Sequence, residues 1–165
     1  GVGALWVRDG VDLTEQQTGG GQEHGLRSGT LSPALIAGFG AAAHLAKERM
    51  EEDAGHVRAL WTRAREVFAD WTLNGSEDAR WRGNLNIRRA GPDVGRLMSD
   101  VRTVMFSAGS ACASGSGRPS HVLKAIGLSD KEAKSSIRLG FGRYTTIEEL
   151  EEAAKLINNA ASQQL

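Results

Sequence analysis

The only cysteine of this 165-residue chain, Cys112, lies in a run of eleven consecutive small residues, positions 107–117, built from Ser, Ala, Gly and the cysteine itself. A cysteine kept for packing usually stands among large apolar neighbours. This run has little to bury and much backbone freedom, so its composition predicts a loop that can carry the thiol outward. The chemistry open to such a thiol is nucleophilic attack as the thiolate. Arg118, His121 and Arg143 are cations that could favour that form. An inert loop thiol is equally consistent with the composition.

Arg138 offers a second chemistry. It alternates with Ile137, Leu139 and Phe141 across residues 136–141, which places it on the polar face of a half-buried strand. There it either meets solvent or grips a carboxylate with its planar guanidinium. The third candidate is the glycine-rich stretch 18–30. Its backbone N–H groups and the hydroxyls of Ser28 and Thr30 could hold a phosphate. It matches neither the P-loop nor the Gly-x-Gly-x-x-Gly pattern, and a plain surface loop explains it as well. His24, His44, His56 and His121 have no metal-ligand spacing, so no metal site is expected.

The elements that must position these residues follow from periodicity. Ala4, Leu5, Trp6 and Val7 form an apolar run that predicts a buried strand, and with no Met and no lead-in it suggests a start inside a larger protein. Ser32 and Pro33 suit a helix start. Ile36, Phe39, Ala43, Ala46 and Met50 keep helical spacing, with a break or kink expected near Gly55. Val57, Leu60, Trp61, Ala64, Phe68 and Trp71 continue with a wide apolar stripe. Residues 84–89 read as a strand, 94–101 as a short helix, and 103–106 as a buried strand leading into the cysteine run. Ser120 can cap a helix that Gly127 ends, and Ser129 with Glu132, then Thr146 with Glu149, form capping boxes. Helices interleaved with strands give an α/β class.

Composition narrows the partners. Twenty basic residues balance twenty acidic ones, so nothing chain-wide attracts nucleic acid or an anionic membrane. No stretch approaches the roughly 18 apolar residues of a membrane helix. A lone cysteine excludes an intrachain disulfide framework and, with no signal-peptide pattern, points to the cytoplasm.

Three blocks then carry a resemblance. Residues 1–7 with Gly19-Gly20-Gly21-Gln22-Glu23 and Leu26-Arg27-Ser28-Gly29-Thr30, residues 107–127 around Cys112, and Ser135-Ser136-Ile137-Arg138 with Gly142-Arg143-Tyr144-Thr145-Thr146 occur in the order seen in cysteine desulfurases. The chain resembles the C-terminal part of those pyridoxal-phosphate enzymes, in the branch with a long cysteine loop that serves iron–sulfur assembly and nitrogen fixation. The family usually has His at position 18 and often Arg at position 24, where this chain has Thr18 and His24.

That resemblance implies a type I transferase fold: residues 1–32 ending the large cofactor domain, 33–71 a helical connector, and 72–165 a small domain. It implies that pyridoxal phosphate serves as electron sink, that L-cysteine is the substrate, and that Cys112 takes its sulfur as a persulfide, leaving alanine. It makes Arg138 the holder of the substrate carboxylate. Thr30 would reach the cofactor phosphate of a second subunit in a homodimer. The acceptor would be an iron–sulfur scaffold protein or another sulfur acceptor. The Schiff-base lysine has no counterpart among Lys47, Lys124, Lys131, Lys134 and Lys155, so this chain alone is expected to be inactive. A related lyase for selenocysteine or another sulfur amino acid, and a non-catalytic sulfur relay, are the alternatives.

Overall fold

The computed structural model describes residues 1–108 and 119–165. It divides into two compact units, residues 1–50 and 51–165.

In the first unit, residues 1–22 have no regular strand, and a single 3-10 turn spans Glu23–Gly25. The expected opening strand is absent: Leu5 and Trp6 are 79% and 82% exposed. An apolar run makes a strand only when a neighbour takes its N–H and C=O groups, and among the described residues the sole ladder contact of this unit is an isolated bridge between Gln17 and Arg27. Helix α1, Pro33–Glu48, starts with Pro33 in its first turn, but Ser32 makes no side-chain cap bond. None of its residues is buried. Its local ladder and six alanines sustain it rather than a packed face.

The second unit has the core. Helix α2, Met50–Val67, begins directly after Arg49, so the break falls there and Gly55 lies inside the helix. Val57, Leu60, Trp61 and Ala64 recur at three- and four-residue intervals and are all buried. Strands β1 (Thr72–Leu73), β2 (Asn84–Arg88) and β3 (Ser136–Gly140) form an antiparallel sheet in the order β1-β2-β3. Alternation splits it into two faces. Leu85, Ile87, Ile137 and Leu139 face the core with Phe68, Trp71 and the inward residues of α3 (Val94–Asp100) and α6 (Ile147–Ser162). Trp71 donates its indole N–H to Asn158 Oδ1 at 2.8 Å, and Asn158 Nδ2 donates to the Val67 carbonyl at 2.8 Å, which fastens α6 to the end of α2.

The expected strand at 103–106 does not form. Met105 is 92% exposed, and only Ser107 pairs with β3. Apart from Ser32, the caps behave as their sequences predict. Ser120 accepts from the Leu123 N–H to open α4 (His121–Ala125), Gly127 follows with φ +94°, and reciprocal boxes open α5 (Asp130–Lys134) and α6. No described helix is long and apolar enough to cross a membrane.

Candidate functional site

The glycine-rich stretch of the first unit is held shut by its own side chains. Ser28, the one buried residue of residues 1–50, accepts from the Gly21 N–H at 3.2 Å, and its own N–H donates to the Gln17 carbonyl at 3.0 Å. Gln22 Oε1 accepts from the Gly29 N–H at 3.0 Å. Arg27 Nη1 donates to the Ser28 carbonyl at 3.2 Å. Glu23 and His24 sit at φ 52° and 56°, a region that costs non-glycine residues about 1–2 kcal/mol each. This lacing has a cost in backbone strain, and it fixes the point from which Thr30 leaves. Thr30 itself is exposed and stands directly after Gly29, whose φ of +117° suits only glycine.

In the second unit the sheet face away from the core is polar. β2 contributes Asn84, Asn86 and Arg88, and β3 contributes Ser136 and Arg138, paired Asn86 to Arg138 and Arg88 to Ser136. Asn74, just past β1, is only 2% exposed and lies at the centre of a network. It accepts from Arg88 Nη1 at 2.6 Å and donates to Asn86 Oδ1 at 2.7 Å and Ser136 Oγ at 3.0 Å. Ser136 Oγ in turn donates to the Glu132 carbonyl at 2.7 Å. Arg88 Nε lies 3.4 Å from Glu132 Oε1. The network pins three strands and α5 together through groups that would be costly to bury alone.

Arg138 is placed where alternation puts it, half-buried on this polar face. Its backbone is fully used: its N–H donates to the Ser107 carbonyl at 2.7 Å, and its carbonyl accepts from the Ser107 N–H at 3.1 Å. Its guanidinium makes no hydrogen bond or ion pair among the described residues. The Ser107 hydroxyl is buried and has no partner among the described residues. Cys112 and Arg118 lie outside the described residues. The run that carries Cys112 begins at Ser107, bonded to Arg138, and in sequence is followed by Arg118, Pro119 and the helix-capping Ser120.

The other sequence candidates have structural duties. Arg143 forms an ion pair with Asp53, which holds its guanidinium above the usual range, and its guanidinium carbon lies 6.0 Å from the centre of the Tyr144 ring. His56 Nε2 is 2.8 Å from the Thr145 carbonyl, and the pair joins α2 to the turn before α6. His44 pairs with Glu48 on exposed α1 at 3.1 Å. Lys124 bonds Asp130 at 2.7 Å, and that bond holds the carboxyl below its ordinary range. The sequence reading missed Asn74 and Asn86. Their signal was the matching parity of polar residues in β2 and β3, which becomes visible only after the strands are paired.

Comparison with known proteins places this geometry. The chain is 44% identical to the cysteine desulfurase IscS of Rickettsia typhi, over 95% of this chain and 40% of that protein. It is 43% identical to the mitochondrial cysteine desulfurase of Saccharomyces cerevisiae, over 96% of this chain and 33% of that one. A NifS-like protein from Rickettsia africae superposes with a TM-score of 0.79 at 25% identity, covering 92% of this chain and 41% of that one. A second NifS-like protein gives 0.78 at 26% identity. The chain thus spans between a third and about two-fifths of the length of these relatives. The family model for class-V aminotransferases matches residues 1–152. On that match, which takes in both the laced loop and the polar sheet face, the chain belongs to the aminotransferase class-V family.

Proposed function

We propose that this chain forms the C-terminal portion of a cysteine desulfurase that moves sulfur from L-cysteine to its own Cys112 and then to an acceptor. One observation supports the reading more than any other. The half-buried Arg138 guanidinium lacks a partner among the described residues, and its backbone is bonded to Ser107, the residue that opens the cysteine run. Cys112 follows Ser107 by five residues, so chain length alone limits it to within about 18 Å of that bridge. A carboxylate holder and a thiol are therefore tethered together.

Arg138 would bind and orient the substrate carboxylate through its N–H fork. The Cys112 thiolate would take the substrate sulfur. The S–S bond forms as the substrate's C–S bond breaks, and the electron pair left on carbon takes up a proton to give alanine. The sulfur is oxidised and the carbon reduced within the pair, so no outside oxidant is needed. Pyridoxal phosphate, when bound, supplies the electron sink that makes this C–S bond labile. The residues present suit only part of that group. The exposed hydroxyl of Thr30, at the exit of the laced loop, can meet a phosphate, whereas all five lysines are exposed and none lies in an enclosed site. The lysine that holds the aldehyde must come from another segment. A homodimer, with Thr30 serving the partner's phosphate, an iron–sulfur scaffold protein as acceptor, and a cytoplasmic setting that keeps the thiol reduced complete the proposal.

Alanine release from L-cysteine tests it. The 165-residue chain supplied with pyridoxal phosphate should release none, and the full-length polypeptide carrying it should release alanine. There, Cys112→Ser should stop turnover while the cofactor's absorbance persists. Arg138→Ala should raise KM for cysteine by at least tenfold, as expected when a charged hydrogen bond is lost. Turnover by the 165 residues alone, or unchanged turnover in Cys112→Ser, would contradict the reading.

A further inference from the structure

We propose that Asn86 is a second donor to the carboxylate that Arg138 holds, its amide aimed for that purpose by the buried Asn74. The proposal rests on the reading of Arg138 given above.

The orientation of both amides follows from what each partner can do. Arg88 has only donors, so the Asn74 atom that it reaches at 2.6 Å is the carbonyl oxygen. The other end of Asn74 is then its NH2, which donates to Asn86 at 2.7 Å. The atom that receives it must be Asn86 Oδ1. Ser136 agrees, because it gives its own proton to the Glu132 carbonyl and is left to accept from Asn74. With Oδ1 engaged on the β1 side, Asn86 has its Nδ2 left to offer. That NH2 has no acceptor among the described residues.

The backbone brings this donor beside Arg138. The two residues are direct cross-strand partners. Arg138 uses its N–H and C=O on Ser107, and the Asn86 carbonyl accepts from the Asn74 N–H at 2.9 Å, so both point their hydrogen-bonding groups away from the β2–β3 seam. The pair is therefore of the non-hydrogen-bonded kind, in which Cα atoms approach to about 4.5 Å and side chains lie closest. Two donors without acceptors, one charged and one neutral, stand side by side on one face. A planar carboxylate satisfies both, with one oxygen on the guanidinium and the other on the amide.

Side-chain NMR of the 15N-labelled chain tests the pair, with L-cysteine as one probe and cysteamine, which lacks the carboxylate, as the other. The Asn86 side-chain amide and the Arg138 Nε resonances should both shift with cysteine, at one apparent Kd, and neither with cysteamine. Asn86→Ala should weaken the cysteine-dependent Arg138 shift roughly tenfold. Asn86→Asp keeps the acceptor for Asn74 but sets a negative charge beside the ligand, and should abolish it. If Arg138 responds alone, or titrates unchanged in Asn86→Ala, the role of Asn86 is overturned and that of Arg138 stands. If neither resonance responds to cysteine, or cysteamine acts equally well, both roles fall.

Discussion

The two units solve the problem of stability differently. Residues 1–50 bury one side chain, Ser28, and their order comes from local bonds: the loop lacing and the helical ladder of α1. Residues 51–165 enclose a core in which Phe68, Leu60, Leu85, Ile87, Leu97, Ile137 and Ile157 are fully buried. Apolar content alone does not explain this. α1 has Leu35, Ile36 and Phe39, all of them nearly half exposed, on the same helical period as the buried stripe of α2. Periodicity marks which face would pack. Burial depends on whether another element meets that face.

The largest expected effect comes from the core. Ile87→Ala should destabilise the second unit by about 2–5 kcal/mol in chemical denaturation, whereas Phe39→Ala on α1 should change it by less than about 0.5 kcal/mol. Comparable losses from the two would erase the contrast. Next is the polar network. Asn74→Ala takes one partner from each of Arg88, Asn86 and Ser136, and should cost about 1–3 kcal/mol by the same measurement. Ser28→Ala is the first unit's counterpart. It should leave global unfolding almost unmoved, yet speed amide exchange at Gly21 and Gly29.

The smallest effect is on pH. Glu132, held by Ser129 and helped by Arg88, and Asp130, held by Lys124, have carboxyls below their ordinary range when folded. Their stabilisation is therefore complete above the unfolded carboxylate pKa values, about 4, and is lost as pH falls through the lower folded values. Amide protection in α5, taken relative to the intrinsic exchange rate at each pH, should fall in acid before that of β2 and β3, and Glu132→Gln should blunt the change. Both groups are exposed, so only a modest slope is expected.

Legibility in the sequence follows the same division. Caps were readable because a cap is a local bargain between neighbours: Ser129 with Glu132 and Thr146 with Glu149 each sit three residues apart. The faces of β3 and α6 were readable from period two and period 3.6. What failed needed partners. The apolar segments at 4–7 and 103–106 have strand composition, but a strand exists only beside another. β1 is two residues long and leaves no periodic trace. At the site, the cysteine run and Arg138 stood out by residue type. Asn74 and Asn86 looked like turn residues until the sheet register joined them. Cys112 was visible from its neighbours' small size alone, and its role rests on chemistry to be measured.

The direct measurement is the mass of the Cys112 peptide from the full-length polypeptide, loaded with pyridoxal phosphate, exposed briefly to L-cysteine and then alkylated. The account predicts an added mass of one sulfur atom on that peptide, absent in Cys112→Ser and absent without cysteine. Alanine formed steadily while that peptide never gains sulfur would contradict it.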